Sequence, residues 1–349
     1  MLHRSLLSGP RTLDHPRVGT PAGEEKQARS RLSAAGFVFS TGANDHAAVH
    51  RSIRLCGSCQ PIAAAPPGVP RGVFLVSPSD FRLAEQSAQD NTYMQMQQPV
   101  DSTRAWLQHQ RFAEQLSRRG IPTQVFPGDA STPDAVFPNN VFATAPGRLI
   151  VGAMKHPVRR REAERLDIRR WFAAVLRYAC IDLSQQSLVA ELTGCLVIDR
   201  ARGIGFCGLT ERCTLAGARA MHDAFGLRAT LVFDLAAGEY HTNVVMSALA
   251  GRGVLVCPDG IATRGVMEAL RKIYGEAVVE IDPVQKNRFV GNCIALGDND
   301  LWLSAVAMAA IHGSTSRRLK ALGFELCSAE LDELEKAGGS LRCMVGEIH

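Results

Sequence analysis

The chain has no apolar run of the roughly 18 residues that a membrane-spanning helix needs. Its opening residues, Met1 to Pro10, hold no apolar stretch long enough for a secretory signal. A charge imbalance is also missing from most of the chain. Residues 1–70 carry eight Lys/Arg against four Asp/Glu, and the other 279 residues are near neutral. The net charge of +5 therefore belongs mainly to the N-terminal part and leaves no nucleic-acid footprint. Cys56-Gly-Ser-Cys59 has the spacing of two zinc ligands, but no second pair lies at zinc-site distance, so no metal is expected. Ten cysteines without a secretion signal read as reduced thiols in a cytoplasm. Several sit in apolar strands (Cys195, Cys207, Cys257, Cys293), where Cys acts as a small hydrophobe.

What is present suffices for a large core. The composition is 46% hydrophobic and 21% charged, as in globular proteins with one large domain or two ordinary ones. Residues 1–70 mix Pro, Gly, Ser, Ala and Arg with little periodicity, and read as a poorly ordered extension. The apolar patch from Ala34 to Ser40 is too short to form a core. From Gly72 the pattern changes, and residues 72–349 read as the folded domain. Val73-Phe74-Leu75-Val76 is a buried-strand pattern. Thr103 to Arg119 has helical spacing closed by Gly120.

A unit then recurs. Strand–turn–strand patterns run over 141–152, 195–208, 244–257 and 293–303. Their starts lie about 50 residues apart, and one more step reaches Cys343. Helical stretches over 159–179, 214–225, 261–274 and 314–322 follow the hairpins, each leading to a short strand. Hairpin, helix, strand at this period predicts α/β modules around a pseudosymmetry axis. Joining the opening strand to one starting at Cys343 makes five.

The polar clusters share one phase of this repeat, at the start of each hairpin. They are Asp134-Ala-Val-Phe-Pro-Asn139-Asn140, Glu191-Leu-Thr-Gly194, Glu239-Tyr-His241-Thr-Asn243, Asn287-Arg288-Phe-Val-Gly-Asn292, and Cys343. Equivalent positions in a closed ring face one centre, which would bring carboxylate, imidazole and thiol together. A thiolate is a nucleophile whose pKa a neighbouring cation or His lowers. His241 has the chemistry to protonate a leaving amine and then deprotonate water. Glu191 and Asp134 suit a planar, bidentate N–H donor such as a guanidinium. The set fits substitution at an amidine or ureido carbon better than peptide hydrolysis.

Residues 73–349 resemble the guanidine-modifying penteins: dimethylarginine dimethylaminohydrolase, arginine deiminase and the citrulline-utilising hydrolases. The resemblance rests on Gly338-Gly-Ser-Leu-Arg-Cys343-Met, the Asp134 to Asn140 run, Glu191-Leu-Thr-Gly, His241-Thr-Asn, Leu209-Thr-Glu-Arg212-Cys-Thr and Pro157-Val-Arg159-Arg-Arg-Glu. Phe74-Leu-Val-Ser-Pro-Ser-Asp-Phe and Asp90-Asn-Thr-Tyr are similar to the start of the citrulline-type branch. It implies a five-bladed α/β propeller of ββαβ modules with pseudo-fivefold symmetry. Cys343, His241 and Glu191 would be catalytic. Asp134, Asn139, Asn140 and Asn243 would bind substrate, with Arg159 and Arg212 on its α-carboxylate. No metal or organic cofactor is implied, and the partner is a small amino acid. Two departures stand out. Family members that act on guanidinium groups usually carry an acid where Asn140 stands, and Leu192 replaces a glycine often found after the catalytic acid. An amide satisfies a neutral ureido carbonyl where a carboxylate would be left unpaired. Citrulline, yielding ornithine, carbon dioxide and ammonia, is therefore the expected substrate. Dimethylarginine hydrolysis, arginine deimination, amidino transfer and a non-enzymatic binding module are the alternatives.

Overall fold

The computed structural model describes residues 37–40 and 68–349. The reading of residues 1–70 as an extension, and the Cys56/Cys59 pair, thus lie outside the described residues, apart from Phe37–Ser40 and the stretch from Gly68.

Sixteen strands are present among the described residues. In chain order they are β1 (Phe37–Ser40), β2 (Gly72–Val76), β3 (Thr123–Phe126), β4 (Phe142–Ala145), β5 (Arg148–Val151), β6 (Ala179–Asp182), β7 (Leu196–Asp199) and β8 (Ile204–Leu209). The remainder are β9 (Ala229–Asp234), β10 (Met246–Ala248), β11 (Val254–Val256), β12 (Val278–Glu280), β13 (Ile294–Leu296), β14 (Asp300–Ser304), β15 (Glu325–Ala329) and β16 (Gly346–Ile348). They form five small sheets, β4-β5-β6, β1-β9-β8-β7, β10-β11-β12, β13-β14-β15 and β16-β2-β3. Each repeats one pattern, an antiparallel pair followed by a parallel partner. Parallel neighbours need a crossover, and the helical stretches of the repeat supply it. β2, β4, β8, β11 and β13 are buried along their whole length. That is why they read as continuous apolar runs rather than alternating ones.

The fifth sheet joins the two ends of the domain. β16 pairs antiparallel with β2, with Gly346 opposite Phe74 and Ile348 opposite Gly72, and β2 runs parallel to β3. β1 adds antiparallel to the edge strand β9.

Three sequence expectations need correction. The helix expected over 159–179 is two, Pro157–Ala163 and Leu166–Ala174. Arg165 between them is extended, and its guanidinium holds Asp167 and the Pro127 carbonyl. The helix expected from Ile261 starts only at Val266, because Gly265 before it is left-handed at φ +85°. Cys343 does not open a strand. It sits in the single helical turn Leu341–Met344, and β16 begins three residues later.

The helix Ser102–Arg118 backs the fifth sheet. Asp101 caps it by accepting from Arg104 N, and Ala105, Phe112, Ala113 and Leu116 face the core. His109 lies on the same buried face, fully enclosed. Burial pushes its imidazole down to about 4, and the Val76 backbone only partly offsets this. An unfolded His titrates near 6.5. The native state therefore takes up its proton later than the unfolded state, so stability is lost as pH falls from about 6.5 towards 4. The loss from this one group is roughly 3 kcal/mol. Replacing His109 by Leu is expected to flatten the decline, measured by urea denaturation at pH 7 and pH 4.5. An unchanged pH slope would show that other groups set it.

Candidate active site

Four helical turns too short to be read in sequence aim the functional groups. Pro138–Asn140 precedes β4, Leu192–Cys195 precedes β7, Thr242–Val245 precedes β10 and Leu341–Met344 precedes β16. Glu191 and His241 occupy the N-cap positions of the second and third, and Cys343 lies inside the last. The turn before Cys343 is entered through Gly338, at φ +76°, where a Cβ would meet Asn91 at 2.4 Å. Only glycine fits that place, which accounts for the Gly-Gly lead into the cysteine.

Cys343 lines a small pocket, partly open to solvent, with Asp134, Asn140, Arg159, Arg212 and Tyr240. Ser87, Asn91, Phe137, Ala337 and Gly339 complete its wall. Five of the nine residues expected in the site thus meet in one cavity. Asn139 is buried beside it with neither side-chain polar atom partnered among the described residues, and its carbonyl accepts from Thr193. Asn243 reaches the cysteine from behind, its Nδ2 standing 3.5 Å from Sγ. Asn292 does the same at 3.3 Å. Burial raises the Cys343 thiol above its ordinary value, although the Ser340 backbone and the two amides act against this. The expected lowering of the thiol by a cation does not hold in this resting pocket, because desolvation outweighs its neighbours.

Glu191 is the hub of a second cluster. Its Oε2 accepts from His241 Nε2 at 2.9 Å and from Arg212 Nη1 at 3.2 Å, and its Oε1 accepts from Lys155 N at 3.2 Å. Burial alone would raise this carboxyl, but Arg212, then His241 and Arg159, hold it below the ordinary carboxylate range. His241 is raised: burial opposes its charge, while Cys195 and Glu191 favour it. Burial keeps Cys195 itself protonated, so the Glu191 carboxylate is the partner that counts. His241 Nδ1 is buried without a partner among the described residues. Leu192, next to Glu191, takes a positive φ of 23°, so the turn strains that residue.

Gly194 joins the clusters. A Cβ placed there would lie 2.7 Å from Asn140 Oδ1 and 2.9 Å from His241 Nδ1.

Arg159 and Arg212 line the pocket but are not open cations. Arg159 holds Glu162 through Nε at 2.7 Å and Nη2 at 3.0 Å, and donates to the Phe137 carbonyl. Arg212 binds Asp90 through Nε at 2.9 Å and Nη2 at 2.5 Å, and donates to the Ser87 carbonyl. Burial would raise Asp90, yet Arg212, Lys155 and His156 bring it down to about 2. Ser87 also donates to Asp134 Oδ2, leaving Oδ1 without a partner among the described residues. Ser87, Asn91, Tyr240, Glu162 and Asn292 were not assigned to the site from sequence. Asn292 and Tyr240 carried a signal in their phase in the repeat, and Asn91 and Glu162 lay inside quoted motifs. No group of three or more His, Cys, Asp or Glu among the described residues is placed to hold a metal.

The family match places the chain in a class: hydrolases of the pentein superfamily, which act on C–N bonds of amidino groups, and the five repeated small sheets agree with it. The family described as N,N dimethylarginine dimethylhydrolase, eukaryotic, matches residues 77–349, and the chain belongs to that family. Solved structures agree on the fold. The N-terminal domain of ArgZ, covalently bound to a reaction intermediate, superposes with a TM-score of 0.68 at 16% identity, covering 79% of this chain and 97% of that one. ArgZ is an arginine dihydrolase from the ornithine–ammonia cycle in cyanobacteria, and the chain covers 40% of its full length. A dimethylarginine dimethylaminohydrolase adduct with 4-chloro-2-hydroxymethylpyridine gives 0.61 at 17% identity, covering 80% of this chain and all of that one. No curated protein matches the chain.

Two outcomes test this geometry. Alkylation of Cys343 by iodoacetamide, read by peptide mass spectrometry, is expected to be slow at pH 7 and to climb past pH 9. Fast labelling at neutral pH would mean a resting thiolate. Gly194→Ala is expected to lower turnover by about tenfold or more, because the methyl displaces His241 or Asn140. Unchanged kcat would remove those two groups from the reaction.

Proposed function

We propose that the chain hydrolyses the ureido carbon of citrulline through a covalent intermediate on Cys343. The observation that carries this reading is the chemistry around the sulfur. Amides of Asn243 and Asn292 meet it, Asn140 lines the same pocket, and Asp134 is the single carboxylate among the pocket's described lining residues. The acids behind the lining arginines are already paired: Glu191 with Arg212 and His241, Asp90 with Arg212, and Glu162 with Arg159. A neutral ureido group offers a carbonyl for an amide N–H and two nitrogens for Asp134. A guanidinium cation would have less countercharge here than a cation requires in a buried site.

In this reading, Arg159 and Arg212 bind the amino acid carboxylate as it displaces their internal carboxylate partners. Sγ adds to the ureido carbon, ammonia departs with a proton from His241, and an S-carbamoyl group remains on Cys343. Water, deprotonated by His241, releases the carbamate of ornithine, which loses carbon dioxide. The atoms balance as citrulline plus water giving ornithine, carbon dioxide and ammonia, with no metal or cofactor required. Residues 72–349 form the catalytic unit, with the five sheets as blades of a closed ring around the pocket. The pairing of β16 with β2 supports that closure. Eight free thiols among the described residues, seven of them buried, suit a reducing cytoplasm.

Dimethylarginine is the second reading, and the family match favours it. The purified chain is incubated with citrulline, dimethylarginine and arginine, and ammonia, ornithine and dimethylamine are measured. Ornithine and ammonia from citrulline are expected. Cys343→Ser should cut that turnover by about a thousandfold or more without unfolding the chain. Release of dimethylamine from dimethylarginine with citrulline untouched would overturn the citrulline reading and establish the second.

A further inference from the structure

The fourth repeat also delivers a polar side chain to the centre, and neither the motif comparison nor the mechanism gives it work. Asn292 is completely buried at the end of the turn before β13. Asn292 N closes that turn on the Phe289 carbonyl at 2.8 Å, and Phe289 takes a left-handed φ of +62°. A bulky residue held there marks a turn whose geometry is imposed by what it presents.

What it presents is an amide N–H₂ with a fixed orientation. Asn292 Nδ2 lies 2.8 Å from the Asn243 carbonyl and 3.3 Å from Cys343 Sγ. A carbonyl oxygen accepts only, so the atom facing it must be the nitrogen. One N–H goes to that carbonyl and leaves the other for the sulfur. Asn243 contributes differently. Its Nδ2 is 3.5 Å and its Oδ1 3.7 Å from Sγ, so its amide meets the sulfur in either sense. A neutral thiol donates to Oδ1, and a thiolate accepts from Nδ2. No Lys, Arg or His hydrogen-bonds to this sulfur among the described residues.

We propose that Asn292 is a catalytic residue: with Asn243 it forms an amide cradle that solvates the Cys343 thiolate, standing in for the ion pair this site lacks. The two N–H dipoles replace water on the sulfur as the proton leaves, at a position that burial has made hostile to charge. The proton departs to bulk base, since His241 protonates the leaving ammonia; the amides exchange no atoms and no electrons. This rests on Cys343 as the nucleophile, and is independent of which substrate it attacks.

The test is substrate-free. The rate of Cys343 alkylation by iodoacetamide is followed from pH 7 to pH 10 in the full chain, in Asn292→Ala and in Asn292→Asp, with thermal unfolding as the fold control. Below the thiol's midpoint the rate tracks the thiolate fraction, so each unit of upward shift costs tenfold. Asn292→Ala is expected to slow alkylation at pH 8.5 by about fivefold to tenfold, and Asn292→Asp, which puts a like charge beside the sulfur, by more. Should the alanine variant lose cooperative unfolding, the aspartate variant, equal in shape, decides the matter. Profiles that superpose on the parent, or faster labelling from a loosened pocket, would overturn the proposal. Loss of citrulline turnover with an unmoved alkylation profile would do so too, placing Asn292 in substrate binding instead. Conversely, absence of citrulline turnover in the parent leaves the alkylation result standing.

Discussion

Arg212 is the buried charge on which the site balances. Its guanidinium holds Asp90 on one side and Glu191 on the other, lies over the Tyr240 ring at 5.6 Å, and is almost fully enclosed. Burying a cation costs several kcal/mol unless it is paired and fully hydrogen-bonded. Here two carboxylates and the Ser87 carbonyl meet that condition. The same bonds tie the short helix Glu85–Ala88 and Asp90 after it to the turn that carries Glu191, and through Glu191 to His241. The setting of His241 thus depends, through Glu191, on one arginine. In the proposed reading, a substrate anion reaching Arg212 must compete with Asp90, which Arg212 already holds ionised.

The thiol shows the opposite balance. Cys343 is as deeply buried as Arg212, but it is given amides rather than a counterion. Burial favours its neutral form, so the thiol does not stand charged in the pocket. Dipoles that favour the anion only when it forms belong to the transition state more than to the ground state. The two halves of the site, one ionic and one dipolar, meet through the stretch Tyr240 to Asn243. Its neighbours His241 and Asn243 serve one half each.

Much of this was legible in the sequence because the repeat is long and its strands are short, apolar and evenly spaced. The phase that gathered Asp134, Glu191, His241 and Cys343 is the phase at which the helical turns occur. The turns themselves were not legible. Leu192–Cys195, Thr242–Val245 and Leu341–Met344 hold four residues each, too few to show a helical period, and their apolar content made them look like strand starts. Ser87 and Asn91 were hidden because the four-residue helix Glu85–Ala88 and the irregular stretch after it are too short to show which side chains face inward. The pairing of Arg159 with Glu162 was hidden for another reason. An i,i+3 ion pair on a helix normally sits at the surface, and only packing puts this one in the core.

The closure of the fifth sheet has a consequence for how the protein is made. β2 emerges early in synthesis with its edge bare, and its antiparallel partner β16 comes after every other strand. The four remaining sheets are each assembled largely from contiguous stretches of chain and are free to form during translation. Cys343 sits one turn ahead of β16. Until that stretch is made, the chain holds His241, Glu191 and Arg212 without Cys343, and the order of synthesis brings the thiol and the pairing of β16 with β2 in one late step.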